Sequence, residues 1–400
     1  IGAYKDFLSL PFYVNLIVSQ ICDLNNIKDE NQFREYIWEY IICRNNKKYK
    51  DLIKDIVFVR AKSLHVGVSV DRYETKDINK LISDGVLVRN SNTVRLKYDM
   101  FEDICFEHFF DCAFDECKGD YKSFFEKIAD LSFCIYRRYQ IWIENKLLAK
   151  LNREKFLYDL IFSNTIPNDW KMQTQIGLIK SRHSKPFFTE YGKDLIRNNL
   201  LDNFIHLTNL YGFEINSSFI SQYIITLNTS GIGRACLIHL IASEKWHINN
   251  VSSWSAISKL CSDYSKRKPF DKGIALDCLE ILGYMIESSF PITSKSDIYK
   301  LDDKINNLAL PIYNMAEYTS DWIKTFWNKI SELYKSGEHN KVSVARALIE
   351  YALKFEHIAL AKYLPKELCD LAEMFWTYDP DMKDKRLWGM FQRDKKEMIY

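Results

Sequence analysis

Apolar residues recur at helical spacing along nearly the whole chain, and a β-type pattern interrupts them only once. In segment 31–44, Phe33, Tyr36, Ile37, Tyr40 and Ile41 fall at i, i+3, i+4, i+7 and i+8, the stripe of an amphipathic helix. Residues 47–66 repeat the theme with Leu52, Ile53, Ile56, Val57 and Val59. Composition points the same way. The 400 residues hold 13 Gly and 8 Pro, about half the usual share or less. Both residues build turns and close barrels, so their scarcity favours helices. A hydrophobic share of 47% supplies enough apolar surface to exclude disorder as the main state. At roughly 100–200 residues per domain, the length fits about two to four domains or one elongated array.

The interruption begins at Thr75. TKDINKLISDG reads as a short helix with a Thr75 cap and a Gly85 stop. VLVRNSNTVRLKYD follows. Val86–Val88 and Val94–Tyr98 are predicted strands, joined by a turn at Asn90-Ser91-Asn92, where Asn tolerates left-handed geometry. Three helices and then a hairpin are the order of a winged helix. Beyond Asp99 the pattern is helical again, over 99–115 and over 121–148, where Phe124, Ile128, Leu131, Ile135, Tyr139 and Trp142 share a face. Ile274, Cys278, Ile281, Leu282 and Met285 line one later helix, and Ala345, Leu348, Ile349 and Ala352 another. Breaks near 164–168, 184–186, 228–233, 266–269, 290–294 and 337–340 are unevenly spaced, unlike strict repeats. The expected fold is mainly α: a winged helix with one β-hairpin over 26–115, then an irregular α-solenoid of helical repeats over 116–400. The aromatic share of 14% is expected to pack between helices.

Motifs for chemistry are sparse. GxxxxGK[ST] is absent, so this stretch is not expected to hydrolyse ATP alone, and Gly231-Ile232-Gly233 reads as a loop. Neither GxSxG nor HExxH occurs. The ten cysteines show no CxxC pair, so free thiols and no metal site are expected. His108 and His239, the latter within CLIHLIA, read as satisfied core or interface residues. Lys266-Arg267-Lys268 reads as a solvated loop. The candidate recognition helix Thr75–Ser83 carries Lys76 and Lys80 against Asp77, with Glu74 and Asp84 at its ends. These charges nearly cancel, and the net charge of the chain is +2, so nucleic acid is not an expected partner. With no signal peptide and no apolar run of about 18 residues or more, the expected location is cytoplasmic, with no membrane partner. The chain opens on Ile1 inside an apparently helical pattern, which suggests a piece of a longer polypeptide.

Two stretches carry a resemblance: LSLPFYVNLIVSQI, with Pro11 at a helix start, and VRLKYDMFEDICFEHFF, which follows the hairpin. Their order resembles the C-terminal half of STAND-class signal-transduction NTPases. In that class an ATPase core is followed by a helical lid, a winged helix and a superhelical repeat sensor. GLIKSRHSKPFFTEYGKDLIRNNLLDNFIHL (Gly177–Leu207) is similar to a segment of the bacterial antiviral (AVAST-type) members. The resemblance covers about residues 1–210. It implies that residues 1–25 end the lid and that Pro11 lies next to an adenine. It also aligns Lys97, Tyr98 and Asp99 with a Met-His-Asp-like motif whose His reaches a β-phosphate. Tyr98 stands where that His would be. Its hydroxyl can donate one hydrogen bond but cannot become cationic, whereas Asp99 matches and is expected to cap the next helix.

The resemblance implies no cofactor held by this stretch alone, ATP/ADP and Mg for the parent protein, a protein ligand on the solenoid face, and self-association of the parent. A viral protein is one candidate ligand. Two other readings stand beside it: a winged-helix transcription regulator with a helical-repeat sensor, and a non-catalytic helical scaffold. An enzyme hidden in the helical part would need a deep pocket of convergent His, Asp or Cys.

Overall fold

A computed structural model describes residues 11–20, 27, 30–63, 65–129, 135–144, 154–181, 183–211, 231–266, 270–288, 307–335, 339–353 and 357–378. The chain is mainly helical, with one small antiparallel sheet among the described residues. It divides into two compact units, residues 1–191 with 211–233, and residues 192–210 with 234–400.

The first unit opens with α1 (Pro11–Gln20). Proline suits a first helical position, because its missing N–H has no partner there anyway. From the sequence, residues 3–10 and 12–23 read as two short helices broken at Pro11; residues 3–10 lie outside the described residues. α2 (Glu30–Tyr36) runs on as a π-helical turn, Ile37–Ile42. That widened turn shifts the register, so Phe33, Ile37 and Ile41 are buried as expected while Tyr40 swings out to 54% exposure. α3 (Lys47–Ser63) follows.

The sheet has three strands in the order β1-β3-β2, where a single hairpin was expected. β1 (Val68–Ser69) has only two residues, too few for an alternating pattern to register. α4 (Thr75–Ser83) follows it, and Glu74 rather than Thr75 occupies the cap position, with no side-chain cap bond. Gly85 ends this turn at φ +74°, a conformation glycine adopts without a Cβ penalty. The hairpin pairs β2 (Leu87–Asn90) with β3 (Thr93–Leu96), one to two residues from the predicted bounds. Its loop is Ser91-Asn92, and Ser91 rather than an asparagine takes the positive φ. Val68, Leu87, Val94 and Leu96 are buried, and so are Ile78 and Leu81 on α4.

α5 (Asp99–Cys117) is the long helix of this unit and packs on α3, α6 and α7. Within the predicted helix 121–148, two helices are described, α6 (Tyr121–Ala129) and α7 (Ile135–Trp142). Phe124, Ile128, Ile135, Tyr139 and Trp142 are buried as the spacing predicts; Leu131 lies outside the described residues. The aromatic content concentrates here. Trp142 lies 5.6 Å from Phe110, 5.8 Å from Phe124 and 6.0 Å from Tyr139 between ring centroids, and its indole donates to Asp111 at 2.9 Å. α8 (Glu154–Phe162) and α9 (Asn168–Lys180) complete the packing. Gly177 lets α9 approach closely, since a Cβ there would meet Ile143 at 3.1 Å. The division between units falls within α10 (Lys185–Arg197).

The second unit contains α11 (Leu201–Tyr211) up to Leu210, α12 (Ile232–Ser243) from Arg234, α13 (Trp246–Asn249), α14 (Trp254–Ser265) and α15 (Lys272–Ser288). α16 (307–314), α17 (Ala316–Lys335), α18 (His339–Ala352), α19 (Ile358–Tyr363) and α20 (Pro365–Tyr378) follow. Polar pins join the helices, with Ser253 Oγ donating to Asp202 at 2.6 Å and Asn209 Nδ2 to the Ala256 carbonyl at 2.8 Å. α17 packs against α15, α18, α19 and α20.

His247 is 1% exposed, its ring edge-on to Tyr284. Burial pulls its imidazole below the ordinary value. The unfolded chain therefore takes up a proton as pH drops through about 6.5, while the folded chain resists it until a lower pH. Stability is full above that window and falls on acidification. Thermal melting scanned between about pH 7 and 5.5 should show a falling midpoint, and His247→Gln should flatten the slope.

Candidate functional site

The α5 sequence DMFEDICFEHFFDCAFDEC sets carboxylates among its aromatic positions, and two of them, Glu102 at 4% and Glu107 at 2% exposure, are buried. A buried carboxylate persists only with partners, and three other helices supply them. Arg34 of α2 grips Glu107 with both arms of its fork, Nε to Oε2 at 2.9 Å and Nη2 to Oε1 at 2.5 Å. Arg60 of α3 and Arg138 of α7 both pair with Glu102, the latter at 3.2 Å, and Arg138 Nε lies 3.5 Å from Asp103. Arg138 also lies 4.6 Å over the Phe106 ring. Burial pushes the Asp103 carboxyl up, against the pull of Arg138 and Arg34. Burial likewise lowers the Arg60 guanidinium, with Asp99 opposing.

The predicted site residues sit around the same helix. Pro11 is the first residue of α1. Tyr98 is an extended residue immediately before α5, at φ −125° and ψ 138°. It is 38% exposed, edge-on to Phe101 at 5.2 Å, with Lys97 Nζ 5.3 Å over its ring. Asp99 does not cap α5. Tyr98 holds the cap position and makes no side-chain cap bond, and Asp99 is the exposed first helical residue. There its carboxylate is still favoured by the helix dipole.

Arg34 brings these positions together. Its third nitrogen, Nη1, donates to Tyr13 Oη at 2.6 Å and lies 3.3 Å from Met100 Sδ. Tyr13 is two residues from Pro11, and Met100 is next to Asp99. The starts of α1 and α5, far apart in sequence, therefore meet in one corner. Sequence reasoning missed Arg34, Arg60, Arg138 and Glu107. The available signal was a charged residue beside an apolar stripe, as Arg34 stands beside Phe33 and one turn before Trp38.

Asp77 and Lys80 of α4 are paired locally, while Lys76 is exposed. Lys48 Nζ lies 2.7 Å from both Glu74 and Asp77, and Lys80 Nζ lies 2.9 Å from Asp84. Beside the sheet is a shallow recess of about 300 Å³ lined by residues of both signs, Asp71 and Arg89 among them. Asn92 and Ser69 already donate to the Asp71 carboxylate, which they hold below the usual range.

The histidines differ from expectation in one case. His108 is half-buried, stacked 4.9 Å from Trp38 and 3.5 Å from Cys112 Sγ. His239 is exposed and paired with Asp277 at 2.9 Å rather than enclosed in a core, because it occupies the outward side of α12. Lys266 is exposed beside Asp263; Arg267 and Lys268 lie outside the described residues. The described cysteines are free thiols. Among the described residues, no group of three or more His, Cys, Asp and Glu could hold a metal ion, and no helix is long and apolar enough to cross a membrane. No protein-family model and no curated protein matches this chain.

Glu102 offers a direct test of this network. Glu102→Ala removes the carboxylate shared by Arg60 and Arg138 and leaves Arg138 only Asp103 among the described carboxylates; removing one partner of a buried ion pair costs about 3 kcal/mol or more. Urea unfolding should show that loss as a lower midpoint, with Glu102→Gln losing less.

Proposed function

We propose that this chain is the regulatory and sensor portion of a STAND-class ATPase. In this reading residues 1–25 end the lid and 26–115 form a winged helix. Residues 116–400 form a helical-repeat sensor for a protein ligand, a viral protein in the antiviral branch of the class. The observation that carries the proposal is the corner made by Arg34, which joins the start of α1 to the start of α5. The resemblance assigns nucleotide-facing roles to those two starts, at Pro11 and at Tyr98-Asp99. The strand order β1-β3-β2, with α4 entering the hairpin, also fits a winged helix. Pairing of Lys48 and Lys80 with acidic neighbours weighs against the transcription-regulator reading, since it takes two cations on and beside α4 away from phosphate contact.

The residues present fit a nucleotide partly. Tyr98 is exposed enough to donate its hydroxyl proton to a phosphate oxygen. Asp99 would meet a phosphate as a like charge, so its contribution lies on the protein side, favouring the first turn of α5 behind Tyr98. ATP or ADP with Mg would be held mainly by an ATPase core preceding this chain. That nucleotide supplies the differential binding that separates a closed, resting state from an open, assembling one. A protein ligand shifts the balance only as far as it prefers the open form. Release would then permit self-association and activate an effector elsewhere in the parent.

Asp99→Ala in the full-length parent should raise basal oligomerisation and lower retained ADP, read by size-exclusion chromatography and nucleotide extraction. Unchanged ADP content and oligomeric state would remove the proposal. Absence of GxxxxGK[ST] from the coding sequence upstream would leave the helical-scaffold reading in its place.

A further inference from the structure

α1 is an unusual helix for a surface position. PFYVNLIVSQ contains no charged residue, and its apolar groups encircle the axis. Tyr13 and Leu16 are buried while Val14 and Val18 are 42% and 78% exposed. Ten residues are too few for an isolated helix to persist in water. With neither acidic residues in its first turn nor basic ones in its last, it gains nothing from its own dipole. Its order therefore depends on its docking, which places it at the low-stability end of local opening.

The docking has an identifiable polar centre. Glu107 fixes two nitrogens of the Arg34 fork, which leaves Nη1 preset toward Tyr13 Oη. The Tyr13 ring also stands edge-on to Phe33 at 5.3 Å. A hydrogen bond to a charged group in a buried site is stronger than a neutral one, and it is lost outright when the helix moves away. We infer that Arg34, held by Glu107, is a latch that sets whether α1 stays docked, and that α1 opens as a unit while the body from α2 to α9 stays folded. The latch connects α1 to α5 directly, since Glu107 is a residue of α5, two turns beyond Asp99. This inference deepens the proposed function and rests on it for its regulatory meaning, but the opening itself is a property of the 400-residue chain.

Hydrogen exchange with residue-level resolution on the whole 400-residue chain tests it. Tyr13→Phe removes one hydroxyl and keeps the ring against Phe33. It should speed exchange of the α1 amides about tenfold while the amides of Phe101–Phe110 keep their rates. The double variant Arg34→Met/Glu107→Met removes both members of the buried pair together and should release α1 equally. Unchanged α1 exchange in Tyr13→Phe overturns the latch. So does an equal rise in α5, which is global loosening, or a double variant that leaves α1 protected. Tyr13→Phe in the full-length parent then separates the two ideas: α1 released with ADP retention unaltered keeps the latch and removes the proposed function.

Discussion

The fold of the first unit depends on keeping carboxylates inside a helix core. α5 cannot bury Glu102 and Glu107 alone, because desolvating a carboxylate costs several kcal/mol. It does so because Arg34, Arg60 and Arg138 arrive from α2, α3 and α7. Each arginine also specifies where its helix must lie. The aromatic cluster around Trp142 is non-directional and tolerates sliding, whereas a bidentate guanidinium–carboxylate pair does not. The apolar residues thus provide the drive to collapse; the bidentate Arg34–Glu107 pair fixes the register of α2 on α5, and Arg60 and Arg138 tie α3 and α7 to the same helix through Glu102.

That division of labour determines what the sequence reveals. Helices with a clean stripe were legible: Phe33, Ile37 and Ile41, or Phe124, Ile128 and Tyr139, are buried as their spacing requires. The hairpin was legible from its two short runs that open on valine, Val86–Val88 and Val94–Tyr98, and the Asn-Ser-Asn turn between them. β1 was not, since two residues carry no period and join the sheet only because β3 offers an open edge. The π-helical turn at Ile37–Ile42 was equally hidden and displaced Tyr40 from its predicted face. His239 sits in an apolar stretch yet faces outward, which shows that local hydrophobicity does not fix the side of a helix when a partner such as Asp277 of α15 is in reach.

The candidate site was legible only in part. Pro11, Tyr98 and Asp99 could be named from the chain. Their common corner could not, because Arg34 and Glu107 stand 73 residues apart and many other charges compete for each. Pairings of that kind are decided by tertiary geometry. The capping role expected of Asp99 failed for a local reason: the chain enters α5 one residue earlier, so Tyr98 takes the cap position.

The central claim is that the starts of α1 and α5 form one face that answers to nucleotide. Hydrogen exchange of the full-length parent, with ADP and after its removal, addresses it directly. The account predicts that residues 11–20 and 97–105 gain protection together when ADP is present. Exchange in both segments indifferent to ADP, or protection of one without the other, would contradict it.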